Sequence, residues 1–469
     1  MKKVLKYGLI GWGILSVLTF PWYWPFIRMF WVFIPSVEKP DYEPPASAYE
    51  ARLQDIDYLS TVLRYDRSFS DTAEQTFIAK LEELKSRAEE MTEAQFYLGV
   101  TEAMALADNG HTSVSYRPQY TAFNTIGARL YQFQDGMYVV AAAADKAPTV
   151  GRRVVAIEGT PIETLQNELM VYKGGNEDWR KLYASLLIES PELMAAAGHA
   201  ASPNKIELTL ETETGDSEQV SFDGVHAEAP EDLPWRAAWH TLSPEVGGFS
   251  ANGWSHALGT DAASLPKYLT MPGETLSYPL DQNGLYIRAL PGFSVGEQSI
   301  GKAYKGMLVE HPKGSLDYLV LDFRLHDGGD YTKSIGFAKA APKVVAEDGD
   351  VYIITGPNTF SAGIVTAAML KYYSGDRAMI VGEQMGDREQ FWAERGSSFQ
   401  LPNSNYYINY ATGYHDWKTG CKGEPYCFTM NEMFEVPAGS LAPEVVLSQD
   451  FNSYARGEDV VMDWIAAQR

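Results

Sequence analysis

The sequence predicts an α/β protein in several parts. An N-terminal helical region is followed by a β-rich module and then by a C-terminal domain of alternating strands and helices, and one transmembrane helix precedes the whole. Three observations carry this reading. Residues 7–27 hold no charge, a run long enough to cross a bilayer. Residues 126–222 are dominated by short, alternating apolar runs bounded by turn residues. Beyond Gly284 the apolar runs 285–288, 318–323, 351–355 and 378–382 are separated by helix-forming stretches, the pattern of a buried parallel sheet. The chain has 469 residues, which leaves room for two or three domains, and its 45% hydrophobic and 21% charged content is that of a globular protein. A net charge of -23 repels phosphate backbones and argues against nucleic acid as a partner.

The N-terminus reads as a signal anchor. Lys2, Lys3 and Lys6 precede the uncharged run and favour a cytoplasmic start. Trp22, Tyr23, Trp24, Phe30 and Trp31 suit the far interface, where Arg28 is expected to snorkel. No small-x-small cleavage site follows clearly, so an uncleaved anchor is favoured over a removed signal peptide. Either way the body of the protein is expected on the exported side, periplasmic or extracellular. Pro35, Pro40, Pro44 and Pro45 mark a stiff linker from the membrane to the folded part.

Two helices are predicted next. Phe77, Leu81, Leu84 and Ala88 recur at helical spacing, and Thr92-Glu93-Ala94-Gln95 is a capping box that opens a helix with Phe96, Val100 and Met104 on its apolar face. That helix ends at Asp108-Asn109-Gly110-His111-Thr112. In the β-rich stretch, Ile206, Leu208 and Leu210 alternate ahead of Thr214-Gly215-Asp216, the turn of a hairpin that returns through Val220 and Phe222. Residues 227–278 are irregular and rich in Pro and Trp. In the C-terminal domain a helix is expected over 362–373, and ligands are expected at the carboxyl ends of the strands. The two cysteines, Cys421 and Cys427, flank a short Gly/Pro loop and read as a structural disulfide, which an exported compartment permits. With only His415 nearby, a metal site there lacks ligands.

Three segments could carry chemistry. Ser361, in Thr359-Phe360-Ser361-Ala362, stands where a strand ends and an apolar helix begins. A nucleophile there would have the helix dipole and the Ala362 amide to stabilise an oxyanion, but serine is also a favoured N-cap, and on spacing alone the cap is the better reading. Gly328-Gly329 follows the buried run ending at Phe323, and such a pair lets backbone amides approach a ligand closely. Taken alone it is an ordinary glycine turn. His111 is one of eight histidines and sits in a Gly/Asn turn; taken alone it is a surface or capping residue.

Together these segments resemble the tail-specific (C-terminal processing) serine peptidases, of the tricorn-core and retinoid-binding-protein branch of the ClpP/crotonase fold. The chain order is Asp-Asn-Gly-His-Thr, a small β module, Asp-Phe-Arg-x-x-x-Gly-Gly at 322–329, and Thr-Phe-Ser-Ala at 359–362. It continues through Gly382-Glu383, Phe399-Gln400-Leu401-Pro402-Asn403, Leu441-Ala442-Pro443-Glu444 and the tail at 450–459. The resemblance implies a signal anchor over 1–34, a linker over 35–47, a helical region over 48–118 and a PDZ-like module over 119–225. A connecting region over 226–284 and a ClpP/crotonase-like peptidase domain over 285–469 complete the chain. It further implies Ser361 as nucleophile, the amides of Ala362 and of Gly328 or Gly329 as oxyanion donors, and capture of peptides at a strand edge of the PDZ-like module.

The sequence departs from the family in two places. Many members carry a dyad lysine beyond Gly-Glu, whereas here Gly382-Glu383-Gln384-Met385-Gly386-Asp387-Arg388 has none, and Arg388 stays protonated. The tricorn-like branch uses a histidine from the Gly-His-Thr motif, so His111 becomes the expected base. Glu435 is the first candidate to orient it, with Glu383 and Asp108 as alternatives. The second departure is His326-Asp327 in the Gly-Gly loop, where the family carries Asn-Pro. The expectation is a membrane-tethered serine peptidase acting on peptide or protein tails, with no metal or organic cofactor required. A catalytically inactive peptide-binding relative and an esterase-like hydrolase are the alternatives.

Overall fold

Each of the first three helices begins at the cap its sequence supplies. The computed structural model describes residues 24–115, 122–212, 214–227, 241–246, 253–259, 265–271, 273–289 and 300–469. Ser47 caps α1 (Ala48–Ser60) by accepting from the Glu50 amide, and Ser70 caps α2 (Asp71–Arg87) through the Ala73 amide. Thr92 and Gln95 make both bonds of the capping box that opens α3 (Glu93–Ala105). Phe77, Leu81 and Leu84 of α2 are buried, as their spacing requires.

After the short β1 (Ser113–Val114), the β module forms one eight-stranded sheet. Its main path runs β2 (Thr125–Ile126), β8 (Ser217–Val225), β7 (Lys205–Glu211), β5 (Arg153–Ile157), β4 (Gly136–Ala142), β3 (Ala128–Phe133), so β2 and β3 lie at its edges. The side strands β6 (Thr160–Pro161) and β9 (Ser255–His256) pair with β5 and β4. The β7–β8 hairpin pairs Ile206 with Phe222 and Leu208 with Val220, and Ile206, Leu208 and Leu210 face inward. The reading of 126–222 as strands misses three helices: α4 (Ile162–Leu169), α5 (Glu177–Ile188) and α6 (Pro191–Ala196). Their starts carry ordinary signals. Asn176 accepts from the Trp179 amide, and Ser190 caps a helix with Pro191 at its first position. In the connecting region of 226–284, residues 228–240, 247–252, 260–264 and 272 lie outside the described residues; within the rest are β9 and β10 (Leu276–Leu280).

The C-terminal domain is a six-stranded sheet in the order β10, β11 (Gly284–Arg288), β12 (Leu316–Asp322), β13 (Val345–Thr355), β14 (Ala378–Gly382), β19 (Val445–Val446). Only the β10–β11 pair is antiparallel. Both faces are covered, which is why the strands read as continuous apolar runs. One face packs Leu319, Leu321 and Ile353 against α7 (Ile300–Leu308), α8 (Ile335–Val344) and α9 (Ala362–Ser374). On the other, Tyr286, Tyr318 and Tyr352 meet Val461 and Ile465 of the last helix (Val460–Ala467). Between α9 and that helix lie β15 (Gln390–Ala393), β16 (Phe399–Gln400), β17 (Tyr407–Asn409) and β18 (Gly413–Asp416), then α10 (Thr429–Met433) and α11 (Phe451–Ala455), so the last helix is α12.

The N-terminal segment differs from expectation. Most of the uncharged run, up to Tyr23, lies outside the described residues, and no helix among the described residues is long and apolar enough to cross a membrane. Residues 24–33 are helical. Arg28 does not snorkel: it pairs with Glu432 at 2.7 Å and donates to the carbonyls of Pro425 and Cys427. Phe33 is fully buried in the core of the C-terminal domain. The proline-bearing stretch beyond it forms no helix or strand, yet it is strapped to the domain. Ser397 donates its amide to the Pro35 carbonyl, its hydroxyl accepts from the Val37 amide, and Tyr58 donates to the Glu38 carbonyl.

Candidate active site

Ser361 stands at the N-cap of α9 but does not cap it: its side chain makes no cap hydrogen bond. Its backbone has φ 52° and ψ -118°, a conformation that non-glycine residues seldom adopt. The hydroxyl is thus left for other use, and the strained turn presents it ahead of the first-turn amides at the positive end of the helix. The glycine pair lies against it. Gly328 and Gly329 both have positive φ, at 144° and 116°, and a Cβ on Gly328 would sit 3.3 Å from Ser361 Cβ. His326, in the same loop, accepts the Phe360 amide on its carbonyl and is buried, which pushes its imidazole down to about 4 and keeps it neutral near pH 7. The histidine half of the departure from the family pattern therefore adds no charge to this loop.

His111 comes from the far end of the sequence and is held in place residue by residue. Asn109 exchanges hydrogen bonds with the backbone of Trp392 on β15 and donates to Thr112, whose hydroxyl donates to buried Asp66. Asp108, at φ 46°, pairs with Arg388. A Cβ on Gly110 would come within 2.5 Å of Asp387 and 2.8 Å of Phe360, so only glycine fits there. The imidazole then stacks between Phe360 (4.4 Å between centroids) and Phe391 (5.1 Å). The column continues to Trp179 beyond Phe360 and to His415 beyond Phe391. Because Phe360 immediately precedes Ser361, this stack brings the serine turn and the histidine turn together.

The carboxylate beside His111 is Asp387, with Oδ2 3.5 Å from Nδ1. That separation is too long for a good hydrogen bond, and neither ring nitrogen nor Asp387 Oδ2 has a hydrogen-bond partner. Burial lowers the imidazole's affinity for a proton below the ordinary histidine value, partly opposed by Asp387. The expectation for Glu435 fails: its carboxylate packs onto Gly420, beside the Cys421–Cys427 disulfide, rather than onto the imidazole. The two alternatives fail as well. Asp108 is taken by Arg388, and Glu383 lines a separate cavity. Nothing in the sequence of 382–388 distinguishes Asp387 from Glu383 as the acid beside the imidazole, because only the fold brings it to His111.

A lysine does reach the site, from the β module. Lys173 is buried and donates to the Gly110 carbonyl at 3.1 Å, between the rings of Trp179 and Tyr183. Burial depresses its amine to about 8, with Asp387 pulling the other way. Its only signal in the sequence is the Gly174-Gly175 that follows, where the chain passes tightly over the backbone of Asn109 and Gly110.

A cavity of about 580 Å³ opens at the carboxyl ends of the strands, as the topology predicts. Tyr131 and Gln132 of edge strand β3 line one side, and Arg324, Pro357, Asn358 and Glu383 the other. Neither Ser361 nor His111 lines it, so the large cavity and the reactive groups are neighbours along the 356–361 loop rather than one pocket.

No protein-family model matches the chain, and no curated protein matches it. Among solved structures, the photosystem II D1 C-terminal processing protease aligns over 88% of this chain and 98% of its own at 15% identity, with TM-score 0.33. Mature CPAF complexed with lactacystin aligns over 90% of this chain and 98% of its own, with TM-score 0.54 and 11% identity. Mature CPAF alone aligns over 89% and 96% with the same score and identity. At that identity, what this chain shares with mature CPAF is its fold.

Proposed function

We propose that this chain is a serine hydrolase of the peptidase type, acting on peptide or protein tails through an acyl-enzyme. The observation that carries the proposal is Ser361 itself, held at φ 52° at a helix start whose cap its hydroxyl does not serve, against a glycine pair. In this reading Ser361 Oγ attacks the scissile carbonyl carbon. With Nδ1 turned to Asp387, Nε2 of His111 is the nitrogen left to take the hydroxyl proton and later to hand it to the departing amine. The Ala362 amide and those of Gly328 or Gly329 hold the oxyanion. In this reading an extended peptide adds as a strand at the edge of β3, where Tyr131 and Gln132 border the cavity. The uncharged run at 7–27 supports a membrane tether with the folded part on the exported side.

Fluorophosphonate labelling of the full-length protein tests the nucleophile. The parent is expected to label and Ser361→Ala to stay unlabelled; equal labelling of both removes Ser361 from the mechanism. A second reading, a peptide-holding relative without catalysis, is favoured by the lack of any hydrogen bond on His111. That reading stands if Ser361 does not label while peptides still bind. Cleavage of small esters but of no member of a peptide library would make the chain an esterase-like hydrolase instead.

A further inference from the structure

The described residues expose seventeen large hydrophobic side chains, and six of them, Trp24, Phe26, Ile27, Phe30, Trp31 and Ile34, fall within eleven consecutive residues. Trp31 is 84% exposed. All six are exposed on this helical stretch and the residue that ends it, while Met29, Val32 and Phe33 among them turn inward. The inward side is anchored: Phe33 is buried, and Met29 and Val32 pack against the same core. This apolar face is therefore held at a fixed place on the folded domain rather than trailing from it. Arg28 fixes what lies beside it. Its contacts to Pro425, Cys427 and Glu432 set the disulfide-closed loop next to the segment, and the residues adjoining those contacts, Tyr426 and Met433, are exposed as well.

We infer that the outer face of 24–34, together with Tyr426 and Met433, is a docking surface for a zwitterionic lipid bilayer, holding the folded domain directly on the membrane. The inference rests on the reading of 7–27 as a membrane span. The occupant follows from continuity and charge. The face begins at Trp24, within the last four residues of an uncharged run of bilayer-spanning length, and it is led by tryptophan and tyrosine, the residues that settle at the headgroup level. Exposed apolar patches of this kind mark interaction sites. A net charge of -23 disfavours both a second copy of the chain and an anionic leaflet.

The test uses the full-length chain reconstituted in phosphatidylcholine vesicles. The described residues contain no free thiol, so a cysteine introduced by Trp31→Cys, Met433→Cys or, as a control on α2, Ile78→Cys can be labelled singly with a fluorophore. Bromolipid quenching is expected at 31 and at 433, severalfold above that at 78. Adding Arg28→Ala is expected to reduce quenching at 433 and spare that at 31. Quenching at 31 with 433 as unquenched as 78 overturns the docking and leaves the tether standing. A chain that fails to float with vesicles overturns both the docking and the span on which it rests, and crosslinking of 31 to a second copy in place of quenching also overturns the docking. None of these readouts depends on hydrolysis, so the proposed activity stands or falls separately.

Discussion

Ser361, His111 and Asp387 each sit where a neighbouring residue leaves them no choice. The serine is set by its turn, the histidine by two phenylalanine faces, and the aspartate by Gly110, where a side chain would collide with its Oδ2. The imidazole must be neutral to accept a proton, and burial lowers its proton affinity, so the acid limb of kcat/KM is expected below the ordinary histidine value near 6.5. Asp387 favours the imidazolium, so Asp387→Asn is expected to shift that limb to still lower pH and to lower kcat by about 10²–10⁴-fold. A pH–rate profile of parent and variant checks both. An unmoved limb would place Asp387 outside the mechanism. Lys173 gives a second prediction, with its own sign. Its folded amine titrates at about 8 against an ordinary lysine value of 10.5, so between those values the unfolded chain binds the extra proton. Stability should therefore rise with pH through that window, and Lys173→Met should flatten the rise in urea titrations. The sequence draws attention to the serine and the histidine because their turns carry a recognisable order of residues. It does not draw attention to Asp387 or Lys173, because their places beside His111 and Gly110 arise only from contacts between distant segments.

Among the elements, the strands of the sheet domain and the helices α2 and α3 are legible because burial on both faces and capping leave direct marks in sequence, whereas α1 is not predicted although Ser47 caps it. The helices over 162–196 were not, since they lie between strands and their apolar faces, such as Leu182, Leu186 and Leu187, meet neighbours from elsewhere in the module. The C-terminal helix α12 shows how one side chain can hold an element. Asp459 accepts from the amides of Val461 and Met462 at its start and from the guanidinium of Arg324, which also grips Asp322 and lies 3.8 Å over the ring of Tyr268. The two carboxylates of the fork hold the Arg324 guanidinium well above its ordinary value, so the cation stays protonated across the working pH range. Asp459→Ala removes the cap and leaves a buried cation short of a partner. A loss of about 3–5 kcal/mol in urea unfolding is expected from breaking such a pair. A loss under about 1 kcal/mol would mean that Asp322 alone suffices.

At the scale of the whole molecule, the candidate site exists only because three regions share one core. His111 comes from the helical region, Lys173 and Trp179 from the β module, and Ser361 and Asp387 from the sheet domain. The hydrophobic cluster that packs α1 to α3 also contains Phe360, Phe399, Leu401, Tyr406, Ile408 and Tyr410 from the C-terminal half. Tyr58 of α1 stacks on Phe399 at 4.5 Å, Asp55 accepts the amides of Asn403 and Ser404, and β1 pairs with β17. Boundaries drawn from sequence separate the helical region from the sheet domain because chain order cannot show such interleaving. The two are therefore expected to unfold as one cooperative unit. Phe399→Ala removes a buried aromatic from the C-terminal half and should cost about 3–5 kcal/mol. If the core is shared, that loss appears equally in the amide hydrogen exchange of α2 and α3, both of which Phe399 follows by hundreds of residues. Unchanged exchange in those helices, with faster exchange confined to 390–416, would show that His111 rides on a unit that opens independently of Ser361.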